Sequence, residues 1–327
     1  MNLRAFVPAL VLLLVTGPAA AFDEMRAPFA VELAGEVVPF ALFTLTALPN
    51  TSVEITFPGR DPKAHRVDLR TAGSARETLE AAGVGSGAAR LSSYAGGYRF
   101  RTGGTPGLDV LTITNEFDDS VVVNVFTMLP LASVRNGIAN GFRIGSYPAD
   151  RYRGLDAYAP PPGFIEVTAD NQNTFVSPHF QLGQFLCKQP DPFPKYLALR
   201  PELLEKLERI LMEVNRRGIA CESFVVMSGF RSPFYNKGIN GKKYSRHMWG
   251  GAADIYIDVN PVDGQMDDLN GDGRFTRDDA LWLDSVVEGL SGKPWFAHLV
   301  GGLGDYGTTP SHGPFVHVDV RGFRARW

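Results

Sequence analysis

Residues 245–258 read SRHMWGGAADIYID, and residues 315–320 read FVHVDV. Within them, residues 252–258 and 316–320 carry apolar residues at every second position, which is typical of a strand that buries one of its two faces. The alanine and isoleucines of the first strand lie on one face, so Asp254 lies on the other. The valines of the second strand likewise leave His317 and Asp319 on its polar face. We therefore predict two strands whose polar faces carry potential metal ligands.

These polar residues are of types that bind transition metals. If the two strands are neighbours, Asp254 and His317 meet across the ladder. His247 lies seven residues before Asp254 in a glycine-bounded loop, which can place a third ligand over the same face. Two imidazoles and one carboxylate leave a fourth position for water, the arrangement of catalytic zinc. We predict zinc binding by this set; the alternative is three unrelated polar residues.

Three segments carry a resemblance to a known family, and they are residues 228–236 (SGFRSPFYN), 245–255 (SRHMWGGAADI) and 315–319 (FVHVD). Their motifs and order resemble those of the M15 zinc peptidases, the family of D-Ala-D-Ala carboxypeptidases and murein endopeptidases. The resemblance covers roughly residues 175–327. It implies a hedgehog-like α+β domain with an antiparallel sheet that binds one zinc through the three ligands above. It also implies hydrolysis of peptidoglycan stem or cross-link peptides.

The same resemblance assigns roles to residues outside the ligand set. Arg231 corresponds to the arginine that acts on the substrate's peptide carbonyl or carboxylate, and a guanidinium is suited to both. Tyr235 and Ser245 are further candidates for substrate binding, with a role in the scaffold as the alternative.

The general base is where the sequence departs from the family. Many relatives carry a glutamate or a histidine just before the last ligand, where this chain has Pro314 and Phe315. Asp319 and His312 are the candidate bases; alternatively, Asp319 orients a ligand imidazole or pairs with Arg321. The missing base makes a second function credible, that of a non-catalytic, metal-containing module that binds cell wall or protein.

A calcium loop is predicted between the two ligand strands. Residues 268–279 read DLNGDGRFTRDD, with oxygen ligands and a glycine at the positions that calcium loops use. Aspartate at the last position resembles dockerin-type loops more than sensor proteins. A solvated acidic turn is the alternative. The predicted calcium ligands are Asp268, Asn270, Asp272, the carbonyl of Arg274, Thr276 and Asp279.

The remainder of the chain predicts two domains. Residues 22–132 contain short runs of β-branched and aromatic residues separated by turns, which indicates an all-β, sandwich-like domain. Residues 133–163 are rich in glycine and proline and are predicted to form a stiff linker. Residues 164–327 form the predicted α+β peptidase domain, with residues 268–279 as an insert.

The N-terminal residues, the cysteines and the net charge indicate the cellular compartment and the kinds of partner to expect. Residues 1–21 have the charge, apolar core and small-residue order of a signal peptide, so we expect a periplasmic or secreted protein. In such a compartment Cys187 and Cys221 are expected to form a disulfide, with two buried thiols as the alternative. The formal net charge of −3 gives no reason to expect a nucleic-acid partner. We predict no membrane span and make no prediction about oligomeric state.

Overall fold

Short strands build the N-terminal part of the chain in the computed structural model, which describes residues 22–72 and 88–327. The predicted signal peptide lies outside the described residues. The strands are β1 (Glu32–Leu33), β2 (Glu36–Val37), β3 (Leu42–Ala47), β4 (Ser52–Thr56), β5 (Arg66–Ala72), β6 (Arg90–Tyr94), β7 (Gly97–Arg101), β8 (Gly107–Thr114), β9 (Ser120–Thr127) and β10 (Leu129–Pro130).

Nine of these strands form two sheets that face each other across an apolar core, and β10 pairs instead with residues 163–164 of the second half. One has the order β2-β1-β4-β7-β6 and the other β3-β9-β8-β5, in which β3 runs parallel to β9. Alternation along the strands supplies the core, because Ile55 and Phe100 of the first sheet pack with Ile113 and Val123 of the second. The described part of residues 22–132 is thus a two-layer β structure.

The second half of the chain mixes helices with short strands. Its strands are β11 (Ile138–Ala139), β12 (Phe142–Arg143), β13 (Gly163–Val167), β14 (Phe175–Ser177), β15 (Phe180–Gln181), β16 (Lys195–Leu197), β17 (Val225–Ser228), β18 (Ala252–Tyr256), β19 (Gly302–Tyr306), β20 (Phe315–Asp319) and β21 (Ala325–Arg326). Its α-helices are α1 (Pro201–Arg216), α2 (Pro233–Gly238) and α3 (Arg277–Ser291). Shorter 3₁₀ helices connect them, among them Asp156–Tyr158 and Arg246–Trp249.

One sheet organises the second half, with the strand order β17-β18-β20-β19-β21. All of its pairs are antiparallel except β19 with β21. Ile255 of β18 and Val316 and Val318 of β20 are buried in one apolar cluster with residues of α1 and α3, as the alternation predicts. The chain is therefore a mixed α and β protein with several antiparallel sheets, and one face of this sheet is left for polar side chains.

The two halves share a core rather than meeting only at a linker. Val110 and Phe126 of the β3-β9-β8-β5 sheet belong to the same buried cluster as Phe164 and Leu203. Across the same junction, the Thr44 hydroxyl donates to the Val176 carbonyl at 2.6 Å. The N-terminal sheet therefore supports the second half directly.

Residues 133–163 do not form the predicted stiff linker. Phe142, Ile144 and Tyr158 are buried, and the backbone of Phe234 in α2 donates to the Ile144 carbonyl at 2.9 Å. The prolines and glycines suggested an exposed segment because composition alone does not reveal the aromatic contacts that bury it. This segment is part of the packed second half.

The predicted disulfide is wrong, because Cys187 and Cys221 are both free and buried. The Cys221 thiol donates to the Ser223 carbonyl at 3.1 Å, and burial raises its pKa to about 12. Burial also raises the pKa of Cys187, which faces the backbone of Gln189 and Ser232. Each thiol therefore packs as a small apolar group in its own surroundings.

Among the described residues, no helix has both the length and the apolar character needed to cross a membrane.

A buried lysine joins α1 to the end of the site sheet. Lys206 is 2% exposed, and its ammonium donates to the carbonyls of Leu299 at 3.1 Å and Asp319 at 2.8 Å. Burial lowers its pKa from 10.5 to about 8, opposed by the charge of Asp319 and assisted by Arg326 and Arg321. The charged form of Lys206 is thus held in the fold at a cost.

This cost predicts how stability changes with pH. Between pH 8 and 10.5 the unfolded chain holds the Lys206 proton and the folded chain has released it. Stability therefore rises with pH in that window, by up to about 3 kcal/mol. Urea unfolding at pH 8, 9 and 10 should show the free energy of unfolding of the wild type rising relative to that of Lys206→Met. If the free energy of unfolding changed with pH in the same way in both proteins, burial would not shift the pKa of Lys206.

Candidate metal centre

The two predicted ligand strands are neighbours, and their register brings Asp254 directly opposite His317. On the other side of β18, Asp254 is paired with Ser228 of β17. Both ligand side chains are buried, at 4% and 7% exposure. The prediction that these two residues meet across the ladder is confirmed.

His247 reaches the same place from the 3₁₀ helix Arg246–Trp249, which ends at Gly250. Gly250 has a φ of +64°, and a Cβ there would lie 2.1 Å from the Ala198 carbonyl oxygen. Only glycine fits both conditions without strain. The tight turn lets the helix lie against the start of β18 and points the His247 ring at the sheet.

Aromatic residues hold this helix from the other side. The guanidinium of the buried Arg246 lies 4.5 Å from the Tyr158 ring and 5.7 Å from the Trp249 ring. The Tyr147 hydroxyl donates to the Met248 carbonyl at 2.7 Å. Residues 133–163 thus support the loop that presents His247.

The three ligand side chains converge on one point. His247 Nε2 lies 3.2 Å from His317 Nδ1, and Asp254 Oδ1 lies 3.2 Å from His247 Nε2 and 2.8 Å from His317 Nδ1. Ligand atoms about 2.05 Å from a tetrahedral ion would be roughly 3.3 Å apart. Two of the three distances are close to this value, and the distance between Asp254 Oδ1 and His317 Nδ1 is shorter. Within residues 22–72 and 88–327, this is the group of His, Cys, Asp or Glu side chains that could hold a metal ion.

The hydrogen bonds of the two imidazoles indicate which nitrogen of each ring faces the metal position. His247 Nδ1 lies 2.7 Å from the Gly229 carbonyl, which can only accept, so Nδ1 carries the proton and Nε2 has a lone pair for a metal. His317 Nε2 lies 3.1 Å from the Asp319 carboxylate and Nδ1 lies 2.8 Å from Asp254 Oδ1, so both nitrogens face a carboxylate, and a metal at the tripod would take the place of a proton on Nδ1. Such supporting bonds are typical of metal-bound histidines.

Burial and neighbouring charges tune the three ionisable groups. Burial opposes ionisation of Asp254, but His247 and His317 outweigh it and hold the pKa of its carboxyl well below the usual range. Burial lowers the pKa of His247. For His317 the effect of burial is overcome by Asp254 and Asp319, which raise its pKa. A carboxylate and a neutral His247 are the forms that bind a cation.

The surroundings of Asp319 argue against its predicted role as the general base. It is completely buried, and besides His317 its carboxylate accepts hydrogen bonds from the Gly302 amide at 2.8 Å and from the guanidinium and amide of Arg321. Burial opposes its ionisation, yet His317 and Arg321 keep its pKa far below the usual value. Asp319 therefore fits the alternative prediction, in which it orients the ligand imidazole and pairs with Arg321.

Two further predicted residues do not reach the site. His312 is not among the residues that line the cleft above the ligands; its ring packs against Phe315 and its Nδ1 lies 2.9 Å from the Gly313 carbonyl. Tyr235 belongs to α2 and packs against the apolar core. Ser245 does line the cleft, next to His247.

Arg231 lies at the site but has a second partner. Its guanidinium donates to Asp254 Oδ2 at 2.6 Å and, through Nε, to the Ser228 hydroxyl at 2.8 Å. It thereby holds the carboxylate so that the other oxygen, Oδ1, faces the histidines. Its side chain remains 21% exposed and lines the cleft, so it can also contact a ligand.

No protein-family model matches this chain, and no curated protein matches it. The likeness to the M15 peptidases therefore rests on the three quoted segments.

The cleft above the tripod has a volume of about 550 Å³ and is lined by both cationic and aromatic side chains. Sequence reasoning missed most of its wall. Lys242 and Tyr244 lie in the loop before His247, and Tyr306 and Trp327 come from β19 and from the residue after β21. No sequence spacing predicts these contacts. Tyr306 and Trp327 reach the site through the order of strands in the sheet, and Lys242 and Tyr244 through the path of the loop. Besides the ligand Asp254, the described side chains that line the cleft include no carboxylate, so these side chains favour an anionic ligand.

The predicted calcium loop is closed by its own hydrogen bonds. Asp268 accepts from the amides of Gly271, Asp272 and Gly273. Asp279 is completely buried, accepts from the Leu269 and Thr276 amides, and caps α3 together with Thr276. The carboxylates of this loop are not drawn together into a metal-binding group in the described residues. Calcium binding stays a prediction.

Proposed function

We propose that this protein hydrolyses peptide bonds in peptidoglycan stem or cross-link peptides, with zinc bound by His247, Asp254 and His317. The observation that carries the proposal is the convergence of His247 Nε2, Asp254 Oδ1 and His317 Nδ1 at the floor of an open cleft. Three protein ligands leave a place for water and substrate, as in catalytic rather than structural zinc sites.

Zinc is the metal that the donor set fits best. Imidazole and carboxylate ligands in a small tetrahedral arrangement suit zinc, whereas calcium and magnesium prefer six or more oxygen ligands. Bound zinc would polarise the scissile carbonyl and lower the pKa of its water.

The surrounding residues keep this site organised. Gly229 and Asp319 hold the protons of the two imidazoles away from the metal position, and Arg231 holds the outer oxygen of Asp254. The exposed edge of the Arg231 guanidinium can donate to a substrate carboxylate or to the oxygen that gains charge during hydrolysis.

The charge of the cleft supports a ligand with a carboxylate. Arg231, Lys242 and Arg321 line it together with the single carboxylate Asp254. Stem peptides carry free carboxylates, and the signal-peptide pattern of residues 1–21 supports export to the compartment where they occur.

A second function has an observation in its favour. Asp319 is buried and His312 does not line the cleft, so the described side chains that line it include no carboxylate or imidazole besides the three ligands. A non-catalytic module that binds cell-wall peptides or protein through the metal and the cationic wall is the alternative.

Products from defined muropeptides separate the two functions. Protein stripped of metal and reloaded with one equivalent of zinc is incubated with a disaccharide pentapeptide and with a cross-linked dimer, and the products are weighed by mass spectrometry. We expect either loss of a terminal alanine or cleavage of the cross-link, in the zinc-loaded sample alone. Retention of zinc and of the muropeptide without any product would instead establish the binding module.

A further inference from the structure

Trp327 lies over the metal ligand His317. Its ring centroid is 5.2 Å from that of the His317 imidazole, and the Arg321 guanidinium lies 4.9 Å from the indole. The indole N–H donates to the Tyr306 hydroxyl. These contacts place an indole at the edge of the tripod.

The sheet is shaped to receive this indole. Gly304 is directly opposite His317 in the register of β19 and β20, and a Cβ at Gly304 would lie 2.5 Å from the indole nitrogen. At Gly302 a Cβ would lie 2.8 Å from the same ring. A side chain at either position would displace Trp327, so the absence of side chains there permits the indole to lie flat on the strand.

Part of the indole nevertheless faces the cleft. Trp327 is 47% exposed and lines the cavity above the tripod. Tyr306 binds the indole N–H at the ring edge, and the Arg321 guanidinium lies against the ring. The rest of the indole offers apolar surface beside the metal position. Aromatic surface of this kind binds C–H-rich groups, since burying it removes apolar area from water.

The sheet order places Arg231 and Trp327 on opposite sides of the ligands. Arg231 follows β17, the two sheet ligands lie on β18 and β20, and Trp327 packs on β19. Three strand spacings of about 4.8 Å make roughly 14 Å, which about four extended residues span. A short peptide can therefore place its carboxylate at Arg231 while an earlier residue reaches Trp327.

We propose that Trp327 is a substrate-binding residue that packs against the aliphatic side chain on the N-terminal side of the scissile bond. This inference rests on the proposed function, because it uses the peptide orientation that Arg231 and Lys242 favour. Trp327 thereby selects peptides with an extended aliphatic side chain one or two residues before the bond that is cut.

Fluorescence tests the contact directly. Zinc-loaded, full-length protein is mixed by stopped flow with the peptide diacetyl-L-Lys-D-Ala-D-Ala, and the tryptophan emission is followed before turnover. We expect the emission to shift to shorter wavelength, because the peptide removes water from the half-exposed indole. Trp327→Phe should abolish this shift and Trp295→Phe should retain it; Trp295 is a matched control because it is also half exposed, at 48%, but does not line the cleft. An emission shift that survives in Trp327→Phe would overturn the proposal.

Kinetics and calorimetry separate substrate binding from support of the metal. We expect Trp327→Ala to raise KM or Kd for this peptide about tenfold, the usual effect of one lost apolar contact. Zinc affinity should stay within about twofold, and Trp327→Phe should restore most of the loss. A fall in zinc affinity that accounts for the whole effect would show that Trp327 only supports His317.

Gly304→Ala gives an independent perturbation, since its methyl group must push the indole aside. It should reproduce the loss seen in Trp327→Ala, whereas Gly313→Ala, where a Cβ meets only Gln265 Oε1 at 3.9 Å, should behave as wild type. Equal affinity for the peptide in Gly304→Ala and Gly313→Ala would contradict the proposal.

Two peptide comparisons assign the ligand group. An amide in place of the peptide's terminal carboxylate should weaken binding by the same factor in wild type and Trp327→Ala, because the two contacts lie apart. A Trp327-dependent emission shift caused by a disaccharide without peptide would overturn the assignment to a side chain.

The outcomes also separate this inference from the proposed hydrolysis. Trp327-dependent binding without cleavage would leave the inference standing and remove the hydrolysis. Cleavage at the wild-type rate and KM in Trp327→Ala would support the hydrolysis and overturn the role of Trp327.

Discussion

His247→Ala is expected to lower zinc affinity at least about 100-fold and to abolish peptide hydrolysis. Loss of a residue that merely supports a ligand costs about 10–100-fold in metal affinity, and His247 supplies a ligand atom itself. Its Nε2 stands 3.2 Å from both His317 Nδ1 and Asp254 Oδ1, so its removal opens one side of the tripod. Competition with a chromophoric chelator measures the affinity, and mass spectrometry of muropeptide products measures the activity.

His312→Ala is the matched control for this prediction. His312 was a candidate base, but it does not line the cleft. We therefore expect wild-type zinc affinity and activity. Loss of activity with zinc retained in His312→Ala would restore His312 as the base, and wild-type zinc affinity in His247→Ala would remove His247 from the site.

Asp319→Asn is expected to cost about 3–5 kcal/mol in the free energy of unfolding and about 10–100-fold in zinc affinity. The stability loss follows because the substitution leaves Arg321, whose side chain is only 17% exposed, without its charge partner. The affinity loss follows because the amide no longer anchors the proton on His317 Nε2 as a carboxylate does. Urea unfolding and the chelator competition provide the two measurements.

Asp305→Asn tests whether these effects are specific. It breaks the ion pair between Asp305 of β19, whose side chain is 12% exposed, and Arg277, whose side chain is 59% exposed. Because the freed Arg277 remains solvated, we expect a smaller stability change than in Asp319→Asn and unchanged zinc affinity. If Asp319 were the base instead, Asp319→Asn would lose activity at full zinc affinity.

The local pattern of the chain predicted the part of the site that lies within the sheet. Alternation in residues 252–257 and 316–320 decides which face is buried, and a period of two leaves no choice for Asp254 or His317. The structure pairs these two residues directly. His247 lies outside any strand, and its place came from a glycine-bounded loop and a motif resemblance.

Other features depend on contacts between distant parts of the chain. Alternation put Asp319 beside His317 but could not show that Gly302 and Arg321 enclose its carboxylate. The packing of Tyr158 on Arg246 joins residues 88 positions apart, and composition alone predicted a linker there. An even number of cysteines predicted a disulfide, but a disulfide requires the two cysteines to lie close together in the fold, which the sequence does not show.

X-ray absorption at the zinc edge of the loaded protein tests the metal centre most directly. We expect one zinc per chain with the scattering of two imidazoles and with nitrogen and oxygen neighbours at about 2.0–2.2 Å. Sulfur neighbours at about 2.3 Å, or a zinc shell without imidazole scattering, would contradict binding by His247, Asp254 and His317.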